Sequence, residues 1–466
     1  MANTNPVLGV LVMARHGDRQ GFYQSPITYT ASNTEITPLG EVEAYNLGVA
    51  LREQYLTEGA ADAIQGLPSY TLVPNAAIDF KADAGGEGSV IYDSAVAVTQ
   101  GLWPATALSN TTLANGTLVV SPLGGYQYVG IGTVEPSDYT LEGFTSCNTF
   151  SNFTSETYNS SAFEQVASDN AVTLNNLATL AQRNVTLPTM YNVFDYVNVQ
   201  SIHNASFLER LNTEGSYLLP QARYLANYHE NTLFGSPNLT SIANIAGRTV
   251  LPDILGAVQG YTNATEPVRF SFLAVSYKPF ISLFSMLGVT EQFPDVYGIV
   301  NYAAAMTLEV RQSATNTSGY VVRFSFNNQT GSGFTSYPMF GGSDIDYPVD
   351  QFVSNLDSSS IKTLSEWCTV CSQTTLRGCD VITAANSSDG MDRQGSVTTT
   401  YGDHATSPLA SGFIGAAVML ALVAIILAAL AAAGIVSLGR RSRARKYDHY
   451  ESDHVGLKPT GSPGSN

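Results

Sequence analysis

Between Leu409 and Leu438 no residue carries a charge, and at 1.5 Å rise per residue roughly 20 such residues already cross the hydrocarbon layer of a bilayer. Soluble helices rarely run so far without a polar face, so the sequence predicts one C-terminal transmembrane helix over 409–438. The run does not close the chain, as the tail of a lipid-anchor signal would. Arg440, Arg441, Arg443, Arg445 and Lys446 follow it, and the positive-inside rule places residues 439–466 in the cytoplasm and those before 409 outside the cell or in a lumen.

Glycosylation sequons agree with that orientation. Asn-x-Ser/Thr occurs at Asn110, Asn115, Asn152, Asn159, Asn184, Asn204, Asn238, Asn263, Asn316, Asn328 and Asn386, all before the helix and none after it. An export signal is expected with such a layout, yet no signal peptide is visible: Met1 is followed by no basic start and no clear cleavage site before the apolar run Val7 to Ala14. A start upstream of Met1 or a leader already removed is expected; the rival is a tail-anchored protein with a cytosolic N-terminal domain.

The 466 residues are 44% hydrophobic, which excludes a disordered chain and suits two domains or one domain with a large insertion. Formal charge is −17, and the basic cluster lies behind the helix, so the ectodomain is more acidic still and nucleic acid is excluded as a partner. Of the 4 cysteines, Cys147 stands apart from Cys368, Cys371 and Cys379. An oxidising compartment implies two disulfides among them, with the pairing open. Cys368 and Cys371 have zinc-ligand spacing, but no second pair and no nearby His completes a site. Neither a metal nor a cofactor is expected.

Along the chain, Val7 to Ala14 reads as a strand buried on both faces, as in a covered parallel sheet. Thr37-Pro38 reads as a helix N-cap with proline at the first position, followed by Val42, Tyr45, Leu47, Val49 and Leu51 near helical spacing. A second strand and helix pair is expected at Val268 to Val275 and from Pro279 to Gly288, and a late strand over Gly319 to Phe326. Such units imply an α/β sheet with flanking helices. The domain reading is an ectodomain over 1–383 with an inserted, mainly helical cap over about 105–250, a Ser/Thr/Gly-rich stalk over 384–408, the membrane helix and the tail.

Arg15-His16-Gly17-Asp18-Arg19 directly follows the first strand, and open α/β sheets bind ligands at the carboxyl ends of their strands. Two guanidiniums there can hold phosphate oxygens by charge-assisted hydrogen bonds, and an imidazole between them can attack phosphorus. Gly17 is expected to let the backbone approach the ligand.

These residues match the Arg-His-Gly-x-Arg signature, and the chain resembles the histidine acid phosphatases and phytases of the phosphoglycerate-mutase-like fold. Leu39-Gly40 through Leu47-Gly48, Leu51-Arg52 and Tyr55 resemble the helix that follows the signature, and Ser94-Ala95 with Gly101-Leu102-Trp103-Pro104 resembles the family's Ser-Ala helix. The resemblance implies phosphomonoester hydrolysis through a phosphohistidine at His16, with Arg15 and Arg19 binding the phosphoryl group. It spans roughly residues 7 to 380.

Three positions depart from the pattern. Gly21 replaces the proline that closes the signature; Val90, or Ser89 with one insertion, stands where a further phosphate-binding arginine belongs; and Ser276 and Tyr277 occupy the place of the late His-Asp pair. Lys278 is a candidate substitute cation, and Asp18 or Asp83 candidate proton donors. His229-Glu230 resembles the missing pair in composition, but precedes the expected strand; His203 is expected at the surface. Two functions follow: a weak or inactive membrane-anchored phosphatase, or a non-catalytic surface glycoprotein binding a small phosphorylated or anionic ligand.

Overall fold

The computed structural model describes residues 5–20, 34–84, 88–134, 138–314, 319–328 and 333–388. Its spine is an eight-stranded mixed sheet. The elements that position the site are β1 (Val7–Arg15), α1 (Pro38–Tyr55), β2 (Ile78–Asp83), α2 (Val90–Leu102), β3 (Gly132–Val134), α3 (Met190–His203), α4 (Leu218–Phe234), α5 (Ile245–Thr262), β4 (Phe270–Val275), α6 (Lys278–Met286), β5 (Ala305–Gln312), β6 (Tyr320–Asn327) and β7 (Asp346–Pro348). Strand order is β7-β6-β5-β1-β4-β2-β3, with Thr335–Tyr337 also pairing with β6. The half from β1 to β3 is parallel, and β5, β6 and β7 are antiparallel.

The apolar run of β1 is buried on both sides because alternate residues feed two cores. Val10, Val12 and Ala14 pack beneath α1 and α2, while Leu11 and Met13 pack with α5 and α6. Thr37 caps α1 as its sequence implies, its hydroxyl accepting from the Gly40 N–H at 3.1 Å. The face α1 buries is Gly40, Ala44, Leu47, Gly48, Leu51 and Tyr55. Val42 and Tyr45, expected on that face, lie on the exposed side at 54% and 41% exposure, because 3.6 residues per turn puts them opposite Ala44 and Leu47.

The inserted cap differs in extent from its sequence reading. The first part of the 105–250 stretch is not helical: it holds a two-stranded hairpin and then β3, which joins the main sheet. Helices run from Asn148 to Phe234 and enclose their own core of Leu177, Leu180, Val193, Val197 and Leu225. α5 begins where the expected cap ends and packs on the sheet through Leu251, Ile254 and Val258. Helix Cys379–Ser388 carries regular structure into the stretch read as stalk.

Cys147 pairs with Cys371, and Cys368 with Cys379. The two cysteines of zinc-like spacing thus serve different bridges. Cys147–Cys371 closes a loop of 224 residues spanning the cap, and closing long loops removes much unfolded-state entropy. Changing both residues to serine is expected to cost about 2–5 kcal/mol, seen as a lower midpoint in thermal or urea unfolding; an unchanged midpoint would show that the bridge does not hold the cap.

Among the described residues, no helix is long and apolar enough to cross a membrane. The predicted span 409–438 lies outside the described residues, as do Gly21, Asn316, His404 and the tail. Asn115, Asn152, Asn159, Asn184, Asn204, Asn238 and Asn263 are exposed, whereas Asn110 and Asn328 are half-buried.

Candidate active site

β1 and β4 run side by side with Arg15 opposite Val275, so His16 and Ser276 leave the same edge of the sheet. The loop after β1 is pinned from three directions. Gly17 N donates to Ser94 Oγ at 3.0 Å, Asp18 N to Glu43 Oε2 at 2.8 Å, and Ala303 N to the His16 carbonyl at 2.9 Å. A Cβ on Gly17 would stand 2.3 Å from the Gly40 carbonyl oxygen. Gly17 therefore serves a close approach to the backbone of α1.

The His16 ring is buried, at 1% exposure. Its Nδ1 lies 2.7 Å from the Gly17 carbonyl, and a carbonyl only accepts, so Nδ1 carries the proton and the lone pair resides on Nε2. Arg15 donates from Nη1 to the Val300 carbonyl at 2.5 Å, and its guanidinium lies over the rings of Tyr302 at 4.5 Å and Tyr277 at 5.2 Å. Arg19 pairs with Asp195 at 2.9 Å.

Arg15 and Arg19, which flank the buried His16 in the signature, line a cavity of about 500 Å³ whose wall also includes Arg223 and Lys278 as cations, Glu43 and Asp195 as carboxylates, and Tyr277 and Tyr302; His16 itself is not among its lining residues. Tyr302, which also lies 5.6 Å from the His16 ring centre, has its hydroxyl pKa pushed up to about 12 by burial, with Arg19 and Arg15 opposing. Burial likewise raises Glu43 above the ordinary carboxyl range, partly offset by the Asp18 N–H and Arg15. Arg223 is held below the usual arginine range by burial and by the like charge of Arg15.

A scan against family models matches residues 7–327 to the histidine phosphatase superfamily (branch 2). The chain belongs to that family. No curated protein matches it in sequence. Solved structures share the fold at low identity. The phytase of Citrobacter braakii is 14% identical with a TM-score of 0.54, the alignment covering 78% of this chain and 99% of that one. The phytase of Hafnia alvei in complex with myo-inositol hexakis sulphate is 12% identical with a TM-score of 0.54, covering 80% and 99%. A multiple inositol polyphosphate phosphatase of Bifidobacterium longum is 10% identical with a TM-score of 0.46, covering 78% and 95%.

In this histidine phosphatase the three departures have distinct structural outcomes. Val90 is fully buried beneath the sheet-side face of α2, and Ser89 is exposed before the helix; Gly21 lies outside the described residues. Cations reach the cavity from elsewhere: Arg223 on α4, whose Nη2 donates to the Ile299 carbonyl at 2.8 Å, and Lys278 at the start of α6, whose ammonium lies over Phe144 at 4.7 Å and Tyr277 at 5.4 Å. Ser276 is 1% exposed and its hydroxyl makes no hydrogen bond among the described residues. The Tyr277 ring lies under two cations, Arg15 at 5.2 Å and Lys278 at 5.4 Å.

Other readings are extended or corrected. His203 is exposed, as its sequence reading expected, and its Nε2 also lies 2.7 Å from Asp18 Oδ2, which ties α3 to the signature loop. Asp18 is fully buried and held by Thr37 and His203. It is not on the cavity wall, and neither is Asp83. His229 and Glu230 pair with each other inside the cap, where His229 also meets the Tyr158 hydroxyl at 2.8 Å. Asp195, Arg223 and Glu43 were missed. Tyr191, Asp195, Asn198 and Ile202 do recur at helical spacing, which marks one face of α3; what that face meets is set by cap packing.

Removing Arg223 tests its part in anion binding. Arg223→Met is expected to weaken competitive inhibition by inorganic phosphate by about 10- to 100-fold, as loss of one charge-assisted contact implies, while unfolding stability stays level or rises because repulsion from Arg15 is relieved. Unchanged inhibition constants would remove Arg223 from the site.

Proposed function

We propose that this chain is a phosphomonoesterase working through a phosphohistidine on His16. One observation carries the reading: the Gly17 carbonyl sets the tautomer that keeps the proton off Nε2, and Arg15 and Arg19 of the same signature loop line a cavity with Arg223 and Lys278. In the first step Nε2 attacks phosphorus, the ester P–O bond breaks, and the leaving oxygen takes a proton. In the second, water attacks phosphorus, the P–N bond breaks, and a base takes the proton from water. Cations around the phosphoryl oxygens supply the main stabilisation in such transfers.

Glu43 is the proton donor in this scheme. It lines the cavity, its Oε2 is occupied by the Asp18 N–H, Oε1 is left to carry the proton, and burial favours its neutral form. After the first transfer its carboxylate serves as the base for water. Turnover is expected to be slower than in members that keep the His-Asp pair, because Ser276 and Tyr277 supply neither a second imidazole nor an acid.

A second reading, binding of an anionic ligand without turnover, draws on the placement of Tyr277 over Arg15. Hydrolysis of an aryl phosphate by the full chain, compared with its His16→Ala variant across acidic pH, decides between them: equal background from both proteins would leave only binding. We further propose that residues 409–438 anchor the chain, with the sequon-bearing part outside the cell or in a lumen. Resistance of the expressed protein to a mobility shift by glycosidase would sink that topology.

A further inference from the structure

The cations of the cavity are buried or half-buried, whereas its exposed lining residues are aliphatic except for Asn46. Leu39, Val42 and Ile202 line the cavity and remain 44%, 54% and 42% exposed. Leu39 and Val42 come from α1 and Ile202 from α3, so the two sides of the opening each present aliphatic side chains. Phe194 and Ile299 add buried apolar surface at 7% and 4% exposure. Along α1 the apolar exposure continues to Tyr45, which with Val42 borders a second, mixed groove lined also by Ile36, Val96 and Ala97 and by the polar Glu41, Asp93 and Gln100. Neither α1 nor α3 needs these groups for its own packing, since α1 buries its opposite face.

Charge points the same way. The wall carries four cations, Arg15, Arg19, Arg223 and Lys278, but also two carboxylates, Glu43 and Asp195, and Asp195 already neutralises Arg19. That balance suits one phosphoryl group and leaves little for a polyanion. Resting on the phosphatase reading, we propose that the site takes phosphomonoesters whose alcohol is an alkyl chain, the phosphate held by these cations and the chain leaving between Val42 and Ile202 toward Tyr45.

Binding can be measured apart from turnover. Straight-chain alkylphosphonates, methyl to hexyl, have no ester bond to break, and their affinity for full-length His16→Ala protein in nanodiscs is read by calorimetry. Burying each added methylene against half-exposed lining residues is expected to tighten binding about twofold, roughly thirtyfold from methyl to hexyl. Val42→Ser with Ile202→Ser is expected to reduce that gain to less than half, and hexylphosphonate is expected to outcompete myo-inositol hexakisphosphate. An affinity flat with chain length, or tighter binding of the inositol hexakisphosphate, would overturn the proposal even if the wild-type chain hydrolyses phosphate esters. A rising series in a protein without turnover would instead keep the proposal and remove the phosphatase reading beneath it.

Discussion

His16→Ala is expected to lower phosphomonoester hydrolysis about 10⁴-fold or more, to the level of the uncatalysed background. In the proposed mechanism the imidazole accepts the phosphoryl group, and removing a covalent nucleophile leaves only the binding and electrostatic parts of catalysis. Its ring is fixed by the bond from Nδ1 to the Gly17 carbonyl, so the site holds the reactive tautomer before substrate arrives. The wild-type protein should yield an acid-labile phosphoenzyme on rapid quenching, and the variant none. Folding of the variant is checked by its melting midpoint, which should move little because the carbonyl of residue 16 still accepts from Ala303 N. Residual turnover equal to wild type would place the chemistry on another group.

Glu43→Gln has the next largest expected effect, and it depends on the leaving group. For an alkyl phosphate, whose alkoxide needs a proton as the P–O bond breaks, the rate should fall about 10²- to 10⁴-fold. For an aryl phosphate, whose phenolate leaves without one, formation of the phosphoenzyme, read as pre-steady-state phenolate release apart from the later hydrolysis, should slow by under about tenfold. Glutamine retains an oxygen to accept from Asp18 N, so the loop stays anchored. The pH profile carries the sign. A donor must be protonated, and burial raises Glu43 above the ordinary carboxyl range; alkyl phosphate turnover should therefore decline as pH rises through that raised value, and the decline should vanish in the variant. Equal losses for both leaving groups would make Glu43 an anchor of the loop and nothing more.

Some of this site is local in origin and was legible without coordinates. Alternating apolar residues from Val7 to Ala14 can be buried only in a covered strand, and Thr37-Pro38 begins a helix by its own capping chemistry. The signature Arg15 to Arg19 then falls on the carboxyl edge of the sheet, because it directly follows that strand. Likewise, the uncharged run 409–438 and the one-sided sequons are properties of the chain read in order. Leu39 and Ile202 were not legible as a pair, since nothing in either helix says that their exposed sides face one cavity.

Tertiary structure alone decided the partners of the signature. Asp18 meets His203 across 185 residues, Arg15 meets the Val300 carbonyl across 285, and Arg223 reaches the cavity from a helix of the cap. Periodicity names the faces of α3 and α4 but not their orientation over the sheet, which follows from how the cap core of Leu177, Val193 and Leu225 packs. The same holds for Tyr277. By sequence register it stands for a missing acid, and only the fold places its ring over Arg15 and beside Lys278. Local rules act over a few residues, so they determine strands, caps and the uncharged run; the electrostatics of a pocket belong to side chains brought together from distant segments, and only packing determines those.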